Sequence, residues 1–263
     1  MHSNPPHRNL VMSPVGDKSK HGTWLEGGDQ RRFDLFLVYF GDNPAYDFRG
    51  AEYTLRRKGF KFQLLDAVLN EHSDVISRYD RIWCPDDDIA ADVRCVNRLF
   101  DLFTKHQLDL AQPAISAGEV TYESLRQQPG SLLRYSPFVE VMCPIFTRDA
   151  LLRVKPLFLE SQSGWGLDLV WSTWFPKRKV AILDACGVEH TGALLRGDLY
   201  QKLKLRGIDP YQEQLACVAK HGGVNRRVHK RMIRGAMPLA RIPAEGQSLS
   251  FWERATRLWR WAA

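Results

Sequence analysis

Apolar positions along this chain alternate between two spacings. Phe33-Asp34-Leu35-Phe36-Leu37-Val38-Tyr39-Phe40 is a short run rich in aromatic and branched residues, closed by Gly41-Asp42-Asn43-Pro44, and it reads as a core strand ending in a turn. From Gly59 to Asn70 the spacing becomes helical, with Phe60, Leu64, Leu65, Val68 and Leu69 on one side. Arg81 to Cys84 is a second short strand, stopped by Pro85, and residues 91–105 return to helical spacing through Val93, Val96, Leu99, Phe100 and Phe103. Strand, helix, strand, helix predicts an α/β layer arrangement around a mostly parallel sheet.

The pattern continues less regularly. Asp109 to Ile115 predicts another strand, and Phe138-Val139-Glu140-Val141-Met142-Cys143 alternates like one, with Glu140 set between apolar residues. Arg148 to Leu157 has helical spacing, as do Leu169, Val170, Trp171 and Trp174. Lys179 to Asp184 predicts a strand leading into Cys186-Gly187-Val188-Glu189-His190. Residues 1–31 are polar and contain Pro5, Pro6, Pro14 and several glycines, which predicts a flexible leader. The expected division is therefore a leader over 1–31, an α/β domain over 32–215 and a C-terminal appendage over 216–263.

Composition changes this picture at two points. The 263 residues suit one large domain with an appendage, and the 44% hydrophobic content is ordinary for a soluble protein. No apolar run reaches the length of a membrane span and no secretory signal is recognisable, so the expected compartment is the cytoplasm. The five cysteines are widely spaced, without disulfide or zinc patterning. Nearly all of the +7 net charge falls in one acid-free stretch, Ala219 to Gly235, containing Lys220, Arg226, Arg227, Lys230, Arg231 and Arg234. No aromatic residue interleaves with these charges, so no nucleic acid partner is expected. Phe251 to Trp261 combines Phe251, Ala255 and Leu258 with Trp252, Trp259, Arg254, Arg257 and Arg260. That composition fits peripheral membrane contact, or docking on the core or a second subunit.

The candidate chemistry centres on Asp86-Asp87-Asp88, three acids where a strand ends. Clustered carboxylates repel one another unless a cation offsets them, and the carboxyl ends of strands are where open α/β sheets bind ligands. Mn²⁺ and Mg²⁺ are hard ions suited to such oxygens. Gly164-Trp165-Gly166-Leu167-Asp168 sets glycines beside an aromatic plane and a carboxylate at a helix start, and Trp165 offers an apolar face to a sugar ring. Lys61 and Arg134 are candidate diphosphate contacts. The chain has no GxxxxGK[ST] phosphate loop and no kinase signature set.

Tyr79 to Ile89, Ala111 to Ala114, Phe138 to Pro144, Gly164 to Asp168 with Trp171, and Asp184 to His190 together resemble a DUF707-like family of uncharacterised proteins related to GT-A type nucleotide-sugar glycosyltransferases. The resemblance covers roughly residues 33–192. It implies a three-layer GT-A-like fold and a transferase moving a sugar from a UDP- or GDP-sugar to a hydroxyl of a glycan, glycolipid or other acceptor. It further implies a DxD motif with Asp86 and Asp88 as metal ligands, His190 completing the metal shell, and Asp168 as the base of an inverting displacement. Asp87, Glu140, Gly164, Trp165, Gly166, Lys61 and Arg134 would then contact donor or acceptor. Only Asp168 stands where related galactosyltransferases carry a longer acidic run. The alternatives are a two-metal nucleotidyl or phosphoryl transferase and a non-catalytic nucleotide- or glycan-binding protein.

Overall fold

The computed structural model describes residues 8–194, 196, 198–237 and 239–246. In chain order its elements are β1 (Asn9–Val15), β2 (Asp34–Tyr39), β3 (Tyr53–Arg56), α1 (Lys61–Glu71), α2 (Ser73–Ile76), β4 (Arg81–Trp83), β5 (Ile89–Ala90), α3 (Val93–Lys105), β6 (Leu110–Gly118), β7 (Ser131–Tyr135), β8 (Ile145–Thr147), α4 (Arg148–Val154), α5 (Leu167–Trp171), β9 (Val180–His190), α6 (Asp198–Leu205), α7 (Pro210–His221), α8 (Arg226–Ile233) and β10 (Ala240–Pro243). Short 3-10 turns lie between several of them.

The strands form one sheet in the order β10-β7-β9-β6-β8-β4-β1-β2-β3, with β5 added beside the end of β9. The longest ladders are parallel: β1 with β2 from Leu10↔Asp34 to Val15↔Tyr39, and β6 with β9 from Leu110↔Val180 to Gly118↔His190. Shorter antiparallel pairings, such as β4 with β8 and β7 with β9, join these parallel parts into a mixed sheet.

Period-two alternation sorts side chains to the two faces. Val11 and Val15 of β1 and Leu35 and Leu37 of β2 pack with Trp24 and the apolar stripe of α3, while Leu10, Met12, Phe36 and Val38 pack with α1 and α4. Helices thus cover both faces of the sheet, giving the three layers expected of an α/β domain.

Four expectations are corrected. The expected leader contains β1, which lies between β2 and β4 and is buried from Leu10 to Val15. Ser13 and Pro14 make that strand look polar and broken in sequence. Pro14 is tolerated because β4 pairs only with Asn9 to Val11, so the missing N–H falls beyond that ladder.

The expected boundary at residue 216 falls inside α7, and β10 pairs with β7, so the C-terminal part joins the domain. Phe251 to Trp261 lies outside the described residues. Phe138 to Cys143 is not a strand but a buried irregular segment. It is held by Glu140 N–H to Gln112 Oε1 (2.7 Å), Val139 N–H to Ser172 Oγ (3.1 Å) and Trp171 Nε1–H to Val139 O (2.9 Å). These three bonds supply what a sheet ladder would otherwise give the backbone. Finally, β9 runs unbroken from Val180 to His190 across irregularities in its pairing with β6, so His190 belongs to a central strand.

Candidate functional site

β1 has β2 on one side and β4 on the other, so the sheet's order reverses there, and the carboxyl ends of β1 and β4 lie side by side at that switch point, where open α/β sheets place ligands. The acidic triplet follows β4 at this place, and each acid turns to a different partner. Lys61, at the start of α1, donates to Asp86 Oδ1 at 2.6 Å and to the carbonyls of Val141 and Met142 at 2.7 and 2.8 Å. Gly16 N–H, just past β1, donates to Asp87 Oδ2 at 2.8 Å. Asp88 Oδ2 lies 3.3 Å from His190 Nε2. Protein groups therefore offset part of the crowding that the sequence suggests.

Burial and the neighbouring carboxylates raise Asp86 above the usual carboxylate range, against the pull of Lys61. Burial likewise pushes Asp87 up to about 6, with Asp88 and Asp86 adding to it and Gly16 N–H opposing it.

The meeting of Asp88 and His190 is a product of β5. Ile89 pairs with His190 in the sheet, and Thr191 N–H and Oγ1–H both donate to the Asp88 carbonyl, at 2.9 and 2.8 Å. His190 Nδ1 lies 2.8 Å from the carbonyl of Glu119, which can only accept, so Nδ1 carries a proton and Nε2 faces Asp88. Burial disfavours a charged imidazole here, but the bonds to Asp88 and the Glu119 carbonyl outweigh it and push His190 up to about 9. Asp88 Oδ1 is buried and without a hydrogen-bond partner among the described residues.

This donor set fits a divalent ion in part. Imidazole Nε2 with its opposite nitrogen tied to a carbonyl is the arrangement that metal-binding histidines use, and Asp88 offers hard oxygens beside it. Of the two expected ions, the softer Mn²⁺ suits the nitrogen better. Among the described residues no three His, Cys, Asp or Glu side chains form a cage. An ion at Asp88 and His190 would complete its shell with water or substrate oxygens, as Mg²⁺ and Mn²⁺ do at phosphates.

Two glycines absent from the sequence expectations shape this corner. A Cβ on Gly192 would stand 2.1 Å from Asp88 Oδ2, and one on Gly118 would stand 1.8 Å from the backbone oxygen of His190. Gly118 also has φ +88, which favours glycine. Nothing local in the sequence marks either, since both clashes are with residues distant along the chain.

A second pair of carboxyls lies deeper. Glu140 and Asp168 are 6% and 5% exposed. Burial, then the nearby Asp168 and Asp86 carboxylates, pushes Glu140 up to about 8. Burial pushes Asp168 up to about 7, although the Leu169 N–H donates to its Oδ1 at 2.8 Å. Glu140 Oε2 has no partner among the described residues. A carboxyl tuned near neutrality can take up or release a proton at working pH.

Around them, Trp165 is half-buried, with Nε1–H 3.3 Å from the Tyr200 hydroxyl on α6. Burial raises the Tyr200 hydroxyl, and the charges of Asp86 and Glu140 add to it, which puts α6 within the electrostatic reach of both carboxyls. Trp165 and Tyr200 thus join the carboxyl-lined region.

Three expected ligand contacts serve the fold. Arg134 is 2% exposed and grips Asp184 with Nε and Nη2 at 2.8 and 2.9 Å, while also donating to the Ser124 and Arg126 carbonyls. Four of its five N–H donors are committed to this clamp, and its burial keeps the guanidinium away from solvent and from a diphosphate. Gly164 and Gly166 have φ +82 and +91, but the space beside them is filled by protein: Phe62 at 3.0 Å from a Cβ on Gly164, and Gln214 Cα of α7 at 2.9 Å from one on Gly166. They let the chain turn and α7 approach closely, rather than admitting a ligand.

No protein-family model matches the chain, and no curated protein matches it. Among solved structures, S. aureus TarS aligns with a TM-score of 0.48 and 11% identity over 84% of this chain, which spans 44% of that one. TarS 1–349 aligns at 0.45 and 10% over 80% of this chain and 69% of that one. TarS 1–349 in complex with UDP-GlcNAc aligns at 0.42 and 11% over 81% of this chain and 71% of that one.

Proposed function

We propose that the protein transfers a sugar from a nucleotide-sugar donor to an acceptor hydroxyl in a metal-dependent reaction, on a GT-A-like framework. The observation that carries this reading is the Asp88–His190 pair beside the sheet's switch point, with Nδ1 tied to a carbonyl and Asp88 Oδ1 unpartnered among the described residues. Asp88 and His190 would hold a Mn²⁺ or Mg²⁺ ion, while Asp86, the other ligand that the resemblance implies, is engaged by Lys61 through Oδ1. Such an ion, when bound, neutralises charge developing on a departing diphosphate.

The chain's own groups divide the rest of the work. Lys61 fixes Asp86 and adds positive charge beside the triplet, and Asp87 anchors the loop after β1 through Gly16. Asp168 takes the proton of the acceptor hydroxyl as that oxygen bonds to the anomeric carbon and the bond to the diphosphate oxygen breaks. Its elevated proton affinity and near-complete burial support this role. Glu140, with a free buried oxygen, is assigned to bind a substrate hydroxyl, and Trp165 to pack against a sugar ring. With Asp168 as the single base, the proposed reaction is one in-line displacement, which inverts the anomeric centre.

The test is release of nucleoside diphosphate from a panel of UDP- and GDP-sugars with Mn²⁺, for the parent protein and for Asp88→Asn and His190→Ala. Release by the parent that is lost with EDTA and in both variants is the expected result. Equal release by variants and parent would remove the pair from the reaction. Absence of release, together with no metal-dependent thermal shift, would leave a binding protein.

A further inference from the structure

We infer that the outer face of α8 is a docking surface for an anionic phospholipid membrane. The inner face of this helix is fixed: Met232 is fully buried, Val228 packs on the core, and His229 Nε2 lies 3.0 Å from the Tyr122 hydroxyl. Arg226, Arg227, Lys230, Ile233 and Arg234 are exposed on the rest. Arg226, Lys230 and Arg234 recur every four residues, which aligns them in one stripe, with Arg227 and Ile233 beside it.

None of these four cations is in an ion pair among the described residues. Lys220 on α7, by contrast, is paired with Glu160 at 2.7 Å. A helix rooted on one side and carrying four unpaired charges on the other keeps a positive potential facing outward.

Two observations select a lipid surface over a nucleic acid. Ile233 is 39% exposed among the charges, an apolar side chain able to enter the headgroup boundary, and no aromatic residue is there to stack on bases.

The placement has a consequence. Tyr122, which α8 holds, packs on Phe138 at 4.4 Å between ring centroids and lies in the field of Asp168 and Glu140. Docking through α8 would hold that side of the domain, one residue layer from the two carboxyls, against the membrane. The proposal is independent of the transfer reaction, since it needs no substrate.

Co-sedimentation of the full chain with phosphatidylglycerol and phosphatidylcholine vesicles tests it. The parent should bind the anionic vesicles and release as salt rises, because each basic residue near an anionic surface contributes roughly fivefold in partitioning. The variant Arg226→Gln, Arg227→Gln, Lys230→Gln, Arg234→Gln should bind at least tenfold more weakly while keeping the parent's circular dichroism and Tm. A control with the same charge loss on other elements, Arg49→Gln, Arg94→Gln, Lys105→Gln, Lys177→Gln, should bind like the parent. Equal weakening in both variants would assign the effect to net charge and overturn the proposal. Parent-like binding by the α8 variant, or tighter binding of a 20-nucleotide RNA than of vesicles, would overturn it too.

Discussion

Replacing Arg134 by methionine separates a structural role from a ligand-binding one. The side chains of Arg134 and Asp184 are 2% and 0% exposed and share two hydrogen bonds, and Arg134 also satisfies the carbonyls of Ser124 and Arg126 at 2.7 Å each. Methionine keeps much of the volume but strands the Asp184 carboxylate, whose remaining partner is the Gln128 N–H at 3.0 Å. Breaking one side of a buried ion pair costs about 3–5 kcal/mol. Native stability is only about 5–15 kcal/mol, so a large share is lost. For a domain of this size that corresponds to a fall in Tm of roughly 6–20 °C.

The assay is urea unfolding followed by circular dichroism, comparing midpoints at unchanged slope. The double variant Arg134→Met, Asp184→Leu removes both charges and should recover most of the loss, because an apolar pair avoids the stranded carboxylate. Parent-like stability of Arg134→Met together with weaker nucleotide-sugar binding would refute the clamp and restore Arg134 as a diphosphate contact.

Further outcomes follow from the same geometry. Gly192→Ala places a Cβ 2.1 Å from Asp88 Oδ2, and Mn²⁺ affinity measured by calorimetry should fall at least tenfold; unchanged affinity would separate the Asp88–His190 corner from metal binding. Asp168→Asn should reduce kcat by about 10²–10⁴-fold while sparing donor binding, and the parent's kcat should rise with pH through about 7 as Asp168 loses its proton. A pH-independent kcat between 6 and 8 would remove Asp168 as the base.

Stability without ligand should move the other way. Asp168 and Glu140 are pushed up to about 7 and about 8, above unfolded values of about 4, so between those limits the folded state binds more protons than the unfolded one. With respect to these two groups, stability should therefore be greatest at and below about pH 4 and decline from there until about pH 8. A protein in which both sites are replaced, Glu140→Gln and Asp168→Asn, should lose that part of the slope.

Strands and helices with clean periodicity were legible in the chain. β2, α1, β4, α3 and α4 each carry their own pattern of buried positions, and the structure places them within a few residues of the expected ranges. β1 was not legible, because Ser13 and Pro14 interrupt a seven-residue strand whose burial comes from β2 and β4 on either side and from Trp24, α3, α1 and α4 on its faces. Phe138 to Cys143 misled in the opposite sense: it alternates like a strand, but its backbone groups are satisfied by Gln112, Ser172 and Trp171. The acidic triplet was legible as an anomaly; His190 was set beside it only through the family resemblance, and Lys61 was expected at a diphosphate rather than at Asp86. Gly118 and Gly192 gave no local signal at all.

By itself the sequence determined which segments bury which faces, since helical and strand periodicities are local and depend only on side-chain spacing. It also determined that carboxylates gather where a strand ends. Only the tertiary structure decided what each carboxylate does: Asp86 meets Lys61, Asp87 meets Gly16, and Asp88 meets His190 across a chain separation that β5 and β9 close. Arg134 and Asp168 are both buried and were separated by their partners, one locked in an ion pair and the other left with a proton affinity near neutrality. Charge, solvation and partner distance are properties of position in three dimensions, and a one-dimensional spacing carries none of them.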